Sequence, residues 1–332
     1  MLLTRREAMA GTCTGLAMLT GLPPLTQKAL AEPAYPNQAI KMIVPYPAGG
    51  TTDFLGRLVA KQFRVGLGAT VVVENKPGVA TALGAEQVAR AAPDGYTLLL
   101  ATSTTLAINK ALYRKLAYDP VRDFTPIALV AGVPFALVVS PSLPVKTLPE
   151  FIAYAKSNPG LAYGSAGNGS PQHLGAEMLK AAAGIDIRHV SYRGSVPALM
   201  DVMAERIPLM VVDLLPALPQ IREGKIKVLG VTTLNRVAAA PEIPTLSEAG
   251  LPGFELVAWQ GIVGPAGMPR PIVDQLAAQI EKLLANPSIR AKLTEITLEP
   301  LTGSTPDKFA AYVKTEVDRW AVIVKNSGVE LE

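Results

Sequence analysis

Residues 40–53, IKMIVPYPAGGTTD, constrain this chain more than any other stretch. A short apolar run stops at Pro45, and the backbone turns through Pro47, Ala48, Gly49 and Gly50. A helix then opens at Thr51, Thr52 and Asp53, all good N-cap residue types. The first amides of a helix are uncovered and its N-terminus carries partial positive charge, so such a joint holds anions. Two adjacent glycines let a ligand approach the main chain. The same joint also serves as a plain strand–helix connection. It gains weight because the construction recurs.

The pattern continues downstream. Apolar runs at 70–74 and 96–101 lead into a helical stretch at 82–91 and into the hydroxyl cluster Thr102, Ser103, Thr104 and Thr105. Strands are expected again at 135–141, 161–165, 189–192, 209–212 and 227–231. Helices are expected at 53–63, 172–183 and 195–205, and at 147–155 behind the capping box Thr147–Leu148–Pro149–Glu150. Strands alternating with helices imply parallel sheets, whose ligands bind beyond the carboxyl ends of the strands. The polar clusters lie at those ends. Residues 259–265 read as a strand crossing back, followed by helices at 271–284, 288–294 and 305–326. Val273, Leu276, Ile280 and Leu283 form the apolar stripe of the first, and Gly328 lies past the end of the last.

Residues 1–31 read as a removable export signal. Arg5 and Arg6 follow Thr4, a mildly apolar run occupies 8–22, and Ala29–Leu30–Ala31 is a small-x-small cleavage site. The Arg pair and the Gly/Thr/Ala-rich core suggest twin-Arg export, which an ordinary secretory route also tolerates. No stretch reaches about 18 consecutive apolar residues, the length of a membrane span. Cys13, the only cysteine, lies in the leader, so the mature chain offers no disulfide, thiol nucleophile or cysteine-ligated metal. Arg5, Arg6 and Lys28 against Glu7 account for +2 of the net +4, and the remaining charge is scattered. Nucleic-acid binding has no footprint here. No metal or cofactor is expected.

A second glycine-rich turn follows the 161–165 strand: Gly164, Ser165, Ala166, Gly167, Asn168, Gly169, Ser170, Pro171. Ser170 is the expected N-cap and Pro171 the first helical residue. No Lys-Ser/Thr pair closes a Walker loop and no complete G-x-G-x-x-G is present, which leaves a neutral anion cradle of amides and hydroxyls.

These motifs together resemble one family. They include 43–53, Val71–Val72–Val73–Glu74–Asn75–Lys76–Pro77–Gly78, Pro93–Asp94–Gly95–Tyr96, 164–170 through His173–Leu174, Tyr192–Arg193–Gly194 and Gly264–Pro265. The chain is similar, over essentially its whole mature length, to the extracytoplasmic solute-binding receptors of tripartite tricarboxylate transporters, the Bug-type receptors. The resemblance implies an α/β, periplasmic-binding-protein-like (type II) fold. Two α/β domains would be joined by a two-crossing hinge, near residues 130–136 and 256–262, with the ligand cleft between them. Domain 1 would comprise 36–133 and 259–332, and domain 2 would comprise 134–258. It further implies a periplasmic receptor, a monomer, that closes on a small carboxylate and delivers it to a two-component membrane permease. The cleft would use Ala48 to Asp53 and Ser165 to Ser170. Two departures stand out: Val79–Ala80–Thr81–Ala82 where many relatives have further glycines, and Tyr46 where Phe is common.

The candidate ligand-binding residues are Ala48, Gly49, Gly50, Thr51, Thr52, Asp53, Thr102, Ser103, Ser165, Gly167, Asn168, Gly169, Ser170, His173, Arg193 and Asp213. Each has a plainer reading. Thr51 and Thr52 could simply cap, and Asp53, a poor partner for an anion, could orient amides or hold an ammonium. Thr102 and Ser103 could merely end a strand, and His173 could pack a helix. Arg193 could meet a second carboxylate or be a solvated surface cation. Asp213 could accept from a ligand amine or hydroxyl or cap a loop. His189 reads as structural, Trp259 as cleft wall or hinge packing, and Trp320 as packing. The rival function classes are an exported hydrolase or transferase using Ser170 or Ser165 with His173, and a ligand-sensing receptor for a membrane signalling protein. No Gly-x-Ser-x-Gly elbow supports the enzyme.

Overall fold

The structure, a computed structural model, describes residues 35–327 and residue 329. The expected leader, with Cys13 and the cleavage site, and the expected stop at Gly328 lie outside the described residues. The chain opens with β1 (Ile40–Val44), α1 (Thr51–Leu67), β2 (Val71–Asn75), α2 (Ala82–Ala89) and β3 (Thr97–Thr102). A π-helical turn (Thr104–Ile108) and α3 (Asn109–Leu112) follow. The middle comprises β4 (Phe124–Val139), α4 (Leu148–Ser157), β5 (Leu161–Ser165), α5 (Pro171–Ala183), β6 (Ile187–Ser191), α6 (Ser195–Met203), β7 (Leu209–Asp213), α7 (Leu214–Arg222) and β8 (Lys227–Val231). The return is β9 (Val257–Pro265), α8 (Arg270–Ala285), α9 (Pro287–Glu295), β10 (Glu299–Pro300) and α10 (Pro306–Ser327).

Strand order is β2-β1-β3-β9-β4-β7-β5-β6, with β8 and β10 also on β4. The expected parallel pairings hold for β1 with β2 and β3, and for β5 with β6 and β7. The sheets are mixed rather than all parallel, because β9 lies antiparallel to β3 and β4, and β4 lies antiparallel to β7 and β8. The long β4 serves both halves. Its residues up to Pro134 pair with β9, and Phe135 to Val139 pair with β7. Thus β4 and β9, side by side, carry the chain between the halves.

Alternation explains how the second half is built. Ala136 and Val138 of β4 and Met210 and Val212 of β7 pack into one core, while Leu137, Val139, Leu209 and Val211 pack into the other. A strand covered on both faces reads as an unbroken apolar run, as these do. Truncating such a side chain, for example Leu137→Ala, costs about 2–5 kcal/mol. In the first half, α1 lays Leu55, Val59 and Phe63 on the sheet and ends at Gly68, whose φ of 66° is left-handed.

Three elements depart from expectation. The strand expected at 135–141 begins eleven residues earlier, at Phe124, its pattern masked by Pro126, Gly132 and Pro134. Helix α7 was obscured by Pro216 and Pro219, and Pro219 sits inside the helix. The threonine cluster after β3 coils into a π-turn instead of simply ending the strand.

Candidate functional site

A cavity lies beyond the carboxyl ends of the strands, with walls from both halves. Its volume is about 70 Å³, room for several waters when one needs about 10–15 Å³. Ala48, Gly50, Thr51, Thr52, Thr102, Ser103 and Asp213, of the residues expected from sequence, line it. An outer cavity of about 520 Å³ adjoins it, sharing Tyr46, Pro47, Thr104, Ala166 and Gly194 as walls. Gly167, Asn168, Ser170 and Arg193 line this outer space.

The first turn is braced from behind. Gly49, at a φ of 89°, donates its amide to Asp53 Oδ2 at 3.1 Å. Asp53 also accepts from Asn75 Nδ2 at 3.0 Å and from Arg57 Nε at 3.0 Å, and Asn75 Nδ2 reaches the Tyr46 carbonyl at 3.0 Å. Burial pushes the Asp53 carboxyl up, but Arg57, the Gly49 amide and Asn75 together hold it below its ordinary value. Asp53 therefore orients the turn and lines neither cavity. The N-cap is Gly50, without a side-chain cap, and Phe54 is the first residue to bond back, to the Gly50 carbonyl. The amides of Thr51, Thr52 and Asp53 precede that first bond.

The second turn is differently engaged. Ser170 caps α5 by accepting from the His173 amide at 3.3 Å, as its sequence position implied. Gly169 donates to His173 Nδ1 at 3.1 Å, and Ser165 Oγ meets both the Gly167 amide at 3.1 Å and His189 Nε2 at 2.6 Å. The two imidazoles stack with centroids 3.8 Å apart. Burial pulls His173 down to about 4, and burial with the neighbouring His173 does the same to His189. Ser165, Gly169 and His173 form the turn's internal frame and line neither cavity, and Gly49 likewise stands behind the first turn.

Sequence reasoning missed a third contributor. Gly194, at a φ of 119°, precedes α6 without a side-chain cap, and Ser195, Val196 and Pro197 line the inner cavity. A Cβ at Gly194 would stand 3.5 Å from Pro47 across the cleft. The signal was in the sequence, since Arg193–Gly194–Ser195 repeats the strand–glycine–hydroxyl construction. Gln172 and Gln260 were also missed. Gln172 Nε2 reaches Asp213 Oδ1 at 3.3 Å, and Gln260 Nε2 reaches Thr52 Oγ1 at 3.0 Å. Thr51 Oγ1 donates to Asp213 Oδ2, so the two halves touch directly across the cavity.

Ser103 Oγ, Gln172 Oε1 and Gln260 Oε1 are buried cavity-lining atoms without a partner among the described residues. Tyr46 reaches Thr104 Oγ1 at 3.4 Å, and burial raises its hydroxyl to about 12, keeping it neutral. Trp259 is both cleft wall and packing residue: its Nε1 donates to buried Glu316 Oε2 at 2.7 Å, and Trp320 Nε1 reaches the same oxygen at 2.9 Å. The segment Val79–Ala80–Thr81 nevertheless takes a left-handed backbone. Val79, Ala80 and Thr81 have φ of 45°, 46° and 74°, held by Asn109 Nδ2 on the Ala80 carbonyl at 2.7 Å and Thr105 on Thr81 at 3.0 Å. Among the described residues no group of three or more His, Cys, Asp or Glu is arranged to hold a metal, and no helix is long and apolar enough to cross a membrane.

The geometry does not assemble the Ser170–His173 pair as nucleophile and base, because His173 Nδ1 accepts from Gly169 and Ser170 Oγ accepts from a backbone amide.

Comparison with known proteins agrees with a receptor. Residues 55–329 match the model of the tripartite tricarboxylate transporter family receptor. The UPF0065 protein in the tcbD-tcbE intergenic region of Pseudomonas sp. (strain P51) is 35% identical over 322 residues, covering 96% of this chain and 94% of the relative. Among solved structures, R. palustris Rpa4515 with adipate superposes with a TM-score of 0.86 at 36% identity, over 89% of this chain and 99% of that one. The periplasmic binding protein BugD gives 0.85 at 37% identity, over 90% of this chain and all of that one. BugD is a periplasmic binding protein, and the chain shares the fold of both neighbours.

Proposed function

The chain belongs to the tripartite tricarboxylate transporter receptor family, and on that premise we propose that it captures a small organic carboxylate in the periplasm by domain closure and delivers it to a two-component membrane permease. The observation that carries this reading is the inner cavity, where the uncapped N-termini of α1 and α6 meet from opposite halves. Free helix amides at two walls suit an anion without any lining cation. The adipate held by the neighbour Rpa4515 is such an anion.

Domain 1 is taken as 36–133 with 259–332, and domain 2 as 134–258, moving about β4 and β9. Ligand favours the closed form only through contacts it makes better there. The Thr51–Asp213 bond and the approach of Gly194 to Pro47 are direct contacts between the halves that accompany closure. Micromolar affinity corresponds to about −8 kcal/mol, within reach of several charge-assisted bonds of about 1.5–3 kcal/mol each. Arg193, exposed on the outer cavity, is the cation for a second carboxylate. Export with removal of the leader near Ala31, and action as a monomer, complete the reading.

The test is thermal unfolding of the refolded, ligand-stripped mature protein against mono-, di- and tricarboxylates, amino acids, aromatic acids, sugars and phosphate esters. Binding to the native state alone raises its stability, so a concentration-dependent shift with one class of carboxylate is expected. A shift only with sugars or phosphate esters would overturn the proposal. In the same assay Arg193→Ala should weaken dicarboxylates more than monocarboxylates, and equal effects on both would remove Arg193 from the site.

A further inference from the structure

We infer that the ligand is a carboxylate bearing its own hydrogen-bond donor, an ammonium or a hydroxyl, beside the carboxylate. This rests on the receptor reading above and deepens it. The inner cavity is two-sided. One side offers donors: the first amides of α1 and α6 and the hydroxyl of Ser103, which has no partner among the described residues. The other side offers acceptors. Asp213 is 3% exposed, and both its oxygens accept, one from Thr51 and one from Gln172. Each carboxylate oxygen has room for a further donor.

Gln172 sharpens the point. Its amide must turn Nε2 towards Asp213, since the opposite orientation would set carbonyl oxygen against carboxylate. Its Oε1 is thereby fixed as a buried acceptor, and it has no donor among the described residues. The unpartnered Gln260 Oε1 lies on the same cavity. Buried acceptors are destabilising when unmet. Among the described residues no Lys, Arg or His lines this inner space, so a plain carboxylate would bring a second negative group beside Asp213 and no hydrogen to give it. A 2-amino or 2-hydroxy acid supplies both halves of the match: its carboxylate meets the helix amides, and its substituent meets Asp213 and Gln172. Ammonium should rank ahead of hydroxyl, because it also answers the charge of Asp213.

The experiment is calorimetric titration of the ligand-stripped mature protein with matched acids of four to six carbons: unsubstituted, 2-hydroxy and 2-amino forms of each dicarboxylate and monocarboxylate. At the best chain length a substituted acid should bind about tenfold or more tighter than its unsubstituted parent, the worth of one charge-assisted bond. The order of the amino and hydroxy forms distinguishes the two donors. Asp213→Asn, which keeps the shape, should narrow the preference for the amino form to within about threefold. Gln172→Met should narrow both preferences while leaving Asp213 in place, and unfolding of each ligand-free variant checks that it is folded. Parent acids binding within about threefold of their substituted forms at every length, or ratios unchanged in both variants, would overturn the inference. If no acid binds, the receptor reading fails first and this one falls with it.

Discussion

The two glycine-rich turns look alike in sequence and do opposite work. The first, before α1, leaves its helix uncapped and braces itself from behind with Asp53, Arg57 and Asn75, so its forward amides and hydroxyls face the cavity. The second, before α5, borders the outer cavity but spends much of its hydrogen bonding internally. Ser170 caps, Gly169 donates to His173, and Ser165 is held by His189. The turn before α6 follows the first pattern, not the second. On the proposed function, a glycine-rich turn serves as a ligand cradle where the sequence withholds a side-chain cap, because each N-terminal amide has one hydrogen to give.

Changes at the two kinds of turn should therefore separate affinity from stability. The largest effect is expected at Gly194, whose φ of 119° suits only glycine and whose Cβ would approach Pro47. Gly194→Val should weaken binding about ten- to a hundredfold, from a backbone cost of about 1–3 kcal/mol falling on the bound arrangement. Titration giving near-normal affinity would break the assignment of α6 to the cradle.

Acid should act on the second turn instead. Burial lowers His173 and His189 to about 4, so the unfolded chain takes up these protons first as pH falls. Their stabilising contribution is present above about pH 6.5, declines as pH drops towards 4, and is flat below that. The pair titrates as a coupled unit, for a total of about 2–4 kcal/mol. Unfolding midpoints from pH 7 to 5 should fall in the parent and stay level when both histidines are replaced by Gln.

Ser103→Ala probes the cradle alone. Its hydroxyl has no partner among the described residues, so the midpoint should hold or rise slightly while affinity falls about tenfold. Ser170→Ala should do the reverse. Losing this cap costs about 1 kcal/mol, a midpoint drop of about 2–4 °C, with affinity changed less than about threefold. Equal effects of the two substitutions on affinity would erase the distinction between the turns.

Much of this was legible in the sequence because local chemistry decided it. The cap at Ser170 with Pro171 behind it, the capping box at Thr147, and the stripe Val273–Leu276–Ile280–Leu283 all depend on residues a turn apart. What escaped depends on long-range partners. Nothing near His173 in the chain announces that His189 will stack on it, and that contact turns the second cradle into a frame. Gln172 and Gln260 carry no motif, and only the meeting of α5, β7 and β9 brings them to Asp213 and Thr52. The start of β4 was hidden because prolines that normally punctuate loops sit within a strand bordered by antiparallel neighbours. Val79 and Ala80 hold left-handed backbone that their side chains disfavour, and Asn109, thirty residues away, pins them there.

The shared carboxylate of Glu316 has an optical consequence. The chain has two tryptophans, both indoles hydrogen-bonded to one oxygen, but only Trp259 forms part of the cavity wall. Trp320 is fully buried on α10 and sees the same acid without seeing the ligand. The protein thus carries a fluorophore at its proposed site and a second in a separate, buried environment. A ligand arriving beside Trp259 should change one component of the emission and leave the other, so occupancy can be followed without a label.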